Sequence, residues 1–198
     1  MCGRFFVGGD FRDKLNELLK TAGIVPADNS YSAAGQDVFP SNDSIVICRD
    51  RGRITAVTMP WGYTNPYRKG LIINARAETV REKKLFSDGI ENHRCVIPSS
   101  GFYEWDPYKA RFRFTRPDGG LLLLAGFYHD EQGAPRYTIL TTEANDSMKP
   151  VHDRMPVMLE SREVEPWIND NSKLPEFLSR PQPLLASEQD SGQIRMIF

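Results

Sequence analysis

Cysteine is scarce in this chain: three in 198 residues, at Cys2, Cys48 and Cys95, an odd set without close spacing. That argues against a disulfide framework and for a reducing compartment, cytoplasmic or, in a compartmented cell, nuclear. Long apolar runs are missing as well. The longest, "LLLLAGFY", is a candidate buried strand and far too short for a membrane span, so no membrane partner is expected. The N-terminus has no basic segment followed by an apolar core, which speaks against a secretion signal. No sign of charge dominates: the net charge of −1 excludes a generally basic nucleic-acid coat but leaves room for a local basic groove. Paired metal-ligand spacings are also lacking. His93 and Cys95 form one H-x-C pair with no second pair to complete a site, so neither a metal nor a cofactor is expected.

What is present suits one ordinary core. Hydrophobic residues make up 40% and aromatics 11% of the chain, and its 15 glycines and 14 prolines are spread along it, as many turns and short strands require. "CGRFFV" reads as an early strand. "DFRDKLNELLKTAG" puts Phe11, Leu15, Leu18 and Leu19 on one helical face, with Asp10 as N-cap and Gly23 as stop. "DSIVICRD" and "RITAVTMPWG" predict two strands joined by a turn at Asp50 to Gly52, and "TVREKKLFSDG" an exposed short helix. "PDGG", between "ARFRFTR" and "LLLLAGFYHD", predicts a hairpin. "EVEPWIND" and "KLPEFLSR" are short helical pieces, and the last fifteen residues carry little pattern. With no repeat and no linker, a single α+β domain over 1–198, dominated by antiparallel strands, is expected.

Four segments place polar groups in apolar or aromatic surroundings. "LIINARAE" sets Asn74, Arg76 and Glu78 at alternate positions, so that on a continued strand they leave one face. "SSGFYEWDP" sets Glu104 among Phe102, Tyr103 and Trp105, an enclosure that would suit it to proton transfer. "KPVHDRMPVML" holds His152, Asp153 and Arg154, and "TMPWGYTNP" holds Trp61 before a glycine. Each also has a plain structural reading: a solvated strand face, an outward carboxylate, a charged turn, a core tryptophan.

Cys2 separates these readings. Loss of the initiator methionine, the usual expectation before a small residue, would leave an amine and a thiol on adjacent carbons. Together "MCGRF", "WG" at Trp61, "INARAET", "GFYEW" and "HDRMP" resemble, in that order, the SOS response-associated peptidase (SRAP) family, most clearly over residues 2–160. The resemblance implies an antiparallel sheet core closed like a distorted barrel and edged by short helices. It implies a protein that captures abasic sites in single-stranded DNA covalently; a monomer is expected. By motif, Cys2 would form the crosslink, Asn74 would position it, and Glu104 and His152 would move protons. Arg76 would hold a phosphate, with Arg4, Trp61 and Arg154 near the DNA. An N-terminal-nucleophile hydrolase and a non-catalytic DNA-binding module remain as alternatives. Two stretches depart from the family pattern, "YSAAG" after Ser30 and the closing "SGQIRMIF".

Overall fold

The computed structural model describes residues 3–27 and 36–190. Cys2, the "YSAAG" loop and the closing "SGQIRMIF" lie outside the described residues. In chain order the elements begin β1 (Phe5–Val7), α1 (Phe11–Thr21), β2 (Val25–Pro26), β3 (Gln36–Val38), β4 (Asp43–Asp50), β5 (Arg53–Pro60), β6 (Tyr63–Thr64), β7 (Leu71–Ile72) and β8 (Asn74–Arg76). They continue with α2 (Lys84–Asn92), β9 (Arg94–Ser99), β10 (Gly101–Trp105), β11 (Arg111–Thr115), β12 (Leu122–Glu131) and β13 (Ala134–Glu143). The remainder are β14 (Arg154–Pro156), β15 (Met158–Leu159), α3 (Val164–Asn169), α4 (Leu174–Ser179) and β16 (Ala186–Gln189).

The fold is mixed α+β. A large sheet runs β14-β13-β12-β9-β4-β5-β2, with β15 added on β12 and β8 on β13. Its ladders are antiparallel except β2 on β5 and β8 on β13. A small antiparallel sheet runs β16-β11-β10-β1-β3, and β6 and β7 form a separate hairpin. The large sheet is apolar on both faces, and its strands show why. Ile45, Ile47, Leu123, Ala125 and Phe127 face a core cluster that also holds α1, α2, α3 and α4 side chains. Their alternates Val46, Cys48, Leu122 and Leu124 face a second cluster shared with Phe5, Phe102 and Phe114 of the small sheet. A strand buried on both faces loses its polar alternation, hence the unbroken "LLLLAGF".

Helix α1 buries Phe11, Leu15 and Leu19, as its periodicity requires, and Gly23 at φ +65° ends it. Asp10 precedes it but makes no side-chain cap; its carboxylate pairs with Lys14 at 2.5 Å instead. The hairpin at Asp50 to Gly52 is as expected, with Arg51 and Gly52 both at positive φ. Two expectations are corrected. The "PDGG" turn makes no hairpin: β11 pairs with β10 and β16, whereas β12 pairs with β9, β13 and β15, so the chain crosses there from one sheet to the other. Nor is a closed barrel found among the described residues. Both sheets are open paths, and where the large sheet curls back on itself Trp61 meets Tyr137 in an isolated bridge, without a ladder.

Candidate functional site

Glu104 comes to the site from β10. The carboxylate residue is buried, 4% exposed, on the face that Phe102 shares and opposite Phe112 on β11. Period-2 alternation sends Tyr103 and Trp105 to the other face, so the enclosing aromatics are the phenylalanines and not the expected flanking pair. Beside β10 lies β1, with Phe5 opposite Phe102 and the Arg4 carbonyl accepting the Tyr103 N–H at 2.9 Å. That antiparallel register brings the described start of the chain, Gly3, level with Glu104.

Asn74 and Arg76 come from β8, which lies parallel to β13 with Asn74 beside Ile139 and Arg76 beside Thr141. Ala75 and Ala77 point inward and are buried. The strand stops at Arg76, so the expected three-tooth comb is broken: Glu78 stands in the turn that follows. From there it takes the Arg154 guanidinium through two bonds, 2.7 Å to Nη1 and 2.8 Å to Nη2, while the Thr142 hydroxyl donates to it at 3.3 Å. These bonds, led by the side-chain contact with Arg154, hold the Glu78 carboxyl below its ordinary pKa. Arg154 also donates from Nη2 to the Thr141 carbonyl at 2.7 Å. Its charge is thus matched by Glu78 in the structure. Arg76 is exposed, with no side-chain bond among the described residues. His152 is half-buried in the turn before β14, its Nδ1 3.0 Å from the Arg154 amide and 3.0 Å from the Asp153 carboxylate.

Trp61 is 0% exposed and sits between β1 and β8. Its indole N–H donates to the Ile73 carbonyl at 3.0 Å, its ring lies 5.3 Å from Phe5 and stacks on Tyr137 at 6.3 Å, and Tyr137 bonds Ser44 at 2.7 Å. Phe5 leads to the N-terminus and Ile73 precedes Asn74, so one buried tryptophan ties β1 to β8. Phe102 beside Glu104, Ile73 beside Asn74 and Val151 beside His152 all pack into the same core cluster. Residues adjacent to Glu104, Asn74 and His152 thus share one apolar cluster. The large groove elsewhere, about 1670 Å³ between α1, β2 and the Arg116 to Leu121 segment, is lined by none of them.

Two features escaped the sequence reading. The outer face of the small sheet layers arginine on aromatics: Arg4 ion-pairs with Asp37 and lies 4.7 Å over Phe39, Arg111 is 5.1 Å over Tyr103, and Arg113 is 4.3 Å over Phe6. Trp105, 38% exposed, continues that face. Its signal is the alternation in "RFRF", which puts Arg111 and Arg113 on one face of the strand. The second is the tip between β6 and β7, where Tyr67, 83% exposed, stands with Arg68 and Lys69 just ahead of the Asn74 strand.

The sequence profile of the SOS response associated peptidase (SRAP) family matches residues 1–194. A relative from Bacillus subtilis, named abasic site processing protein YoqW, is 33% identical over 98% of this chain and 92% of its own length. The Escherichia coli protein named abasic site processing protein YedK is 26% identical over 85% of this chain and 79% of its own. A crystal structure of a Bordetella bronchiseptica protein superposes with a TM-score of 0.76 at 24% identity, covering 95% of this chain and 99% of that one.

Proposed function

This chain belongs to the SOS response associated peptidase family, and from that membership we propose that it captures abasic sites in single-stranded DNA as a covalent adduct of Cys2. The observation that carries the reading is the β1–β10 register, which brings the start of the chain level with a buried carboxylate. An abasic deoxyribose opens to an aldehyde. After Met1 is removed, the Cys2 amine adds to that carbon, the carbinolamine loses water to give an imine, and the thiol adds to the imine carbon. Its proton passes to the nitrogen, and a five-membered thiazolidine results. The second attack is intramolecular, with the high effective concentration that follows. An α-amine, at about 7.7–8.0 against about 10.4 for lysine, offers far more of its free-base form near neutral pH.

Glu104 protonates the departing hydroxyl, its carboxyl shielded by Phe102 and Phe112. His152 assists ring opening and proton return. Asn74, both donor and acceptor, orients the amine and thiol without adding charge. Arg76 meets a phosphate. The strand runs over the arginine–aromatic face and the Tyr67 hairpin tip, where stacking and charge tolerate any sequence. The whole chain acts as one domain, as a monomer in the cytoplasm, without metal or cofactor. Elimination from the imine gives a weak lyase side reaction. The family's descriptive name fits self-removal of Met1 by the same groups, which is the peptidase reading of this site.

Intact mass spectrometry tests the proposal. Purified protein incubated with a single-stranded oligonucleotide bearing one abasic site should lack Met1 and gain the mass of the DNA less one water. Cys2→Ala should give no heat-stable adduct while retaining DNA affinity, and Glu104→Gln should fold normally and react at least tenfold more slowly. An adduct that forms equally well with alanine in the leading position refutes the mechanism, and wild-type rates for Glu104→Gln remove that residue's role.

A further inference from the structure

We infer that Glu78, acting through Arg154, is the positioning residue that holds His152 in the tautomer and orientation with which it moves protons. The inference rests on the proposed capture reaction for its purpose, and on the structure alone for its geometry. The comb reading of "NARAE" does not account for the pairing of these side chains.

Glu78 and Arg154 meet in a two-bond carboxylate–guanidinium pair, an arrangement that fixes direction as well as distance. The pair is anchored at its sides. Thr142 donates to Glu78, and the Thr141 carbonyl accepts from both the Arg154 guanidinium at 2.7 Å and the Ala77 amide at 2.8 Å. One carbonyl of β13 thus staples the turn that follows Asn74 and Arg76 to the strand that follows His152. Arg154 is the first residue of β14, and its backbone N–H is the group that faces His152 Nδ1 at 3.0 Å. An amide can only donate, so Nδ1 must offer a lone pair and the ring proton of the neutral imidazole belongs on Nε2. The Asp153 carboxylate, also 3.0 Å from Nδ1, favours the opposite assignment. Its side chain is 85% exposed, and water screens its pull, so the backbone bond decides. The Arg154 side chain, by contrast, is only 12% exposed. Without a carboxylate partner it would leave this shielded place for water and carry the first residue of β14 with it.

Two measurements with Glu78→Gln test this, each with its own control. In ¹⁵N-labelled protein without DNA, the imidazole nitrogens of wild-type His152 should report an unprotonated Nδ1 and a protonated Nε2. Glu78→Gln should move both toward the averaged values of a mixed-tautomer ring. In single-turnover capture at saturating DNA, Glu78→Gln should slow the reaction about tenfold or more. It should slow a His152→Ala background not at all, because the two act as one unit. An unchanged imidazole spectrum overturns the inference, as does an equal slowing in the His152→Ala background. Should Glu78→Gln fail to fold, Arg154→Lys, which keeps the charge and loses the fork, must give the same spectral change. If wild-type protein shows no capture at all, the proposed function fails, and the spectrum still decides the role of Glu78.

Discussion

Arg76 and Arg154 flank the same stretch of β13, yet their surroundings give them opposite duties. Arg76 is exposed and unpaired among the described residues, whereas Arg154 is shielded and held by Glu78 and Thr141. Arg76→Ala should therefore leave the urea midpoint unchanged, weaken DNA binding evenly across sequences and reduce the salt slope by about 1. Arg154→Ala should instead lower stability by about 1–2 kcal/mol, since it removes a charged hydrogen-bond partner of Glu78 near the surface. Equal effects of the two variants on the salt slope would count against this division. Sequence alone could not make the distinction. The alternation in "NARAE" was visible, but the point at which β8 ends was not, and that end turns Glu78 from a strand residue into a clamp. Glu104 was more legible, since a carboxylate in "GFYEW" invites burial. Which aromatics shield it depends on strand parity, and a quoted motif does not display parity.

Among the elements, the pairing of β1 with β10 carries the site, and Gly101 makes it possible. A Cβ at that position would lie 2.6 Å from Phe6 Cζ and would also strike the Phe114 carbonyl on β11. The Phe6 ring can cross β10 only over a glycine. Gly101→Ala should cost about 1–3 kcal/mol through overpacking, and should slow capture by shifting Gly3 relative to Glu104. Denaturant titration and adduct formation measure the two losses; a stable variant with full rates would uncouple this ladder from the site. Local turn chemistry made the β4–β5 hairpin readable, because its partners are neighbours in sequence. It misled at "PDGG". A tight turn signals a reversal of direction but not which sheet receives the next strand, and β12 is claimed by β9 and β13, which pair with its two edges.

At the scale of the whole molecule, the two described cysteines face each other across β4 and β9 at the centre of the large sheet. Burial pushes the Cys48 thiol up to about 12 and Cys95 well above its ordinary value of 9.0. Above about pH 9 the unfolded chain releases these protons while the folded chain keeps them, so stability falls as pH rises through that window. Cys48→Ala should be less stable than wild type at pH 7, and the gap should narrow by pH 10. Urea midpoints at the two pH values check this, and a constant gap would mean that burial of Cys48 does not set the alkaline slope.

The strand that carries the reactive end of the chain is not at an edge. It lies second from one side of the small sheet, bonded to β10 and β3. DNA tethered at that end and drawn along the strand axis would load both ladders in shear, where many bonds resist together, rather than peel them one at a time. Anything that clears such a tether by pulling must dismantle the sheet before it can free the strand.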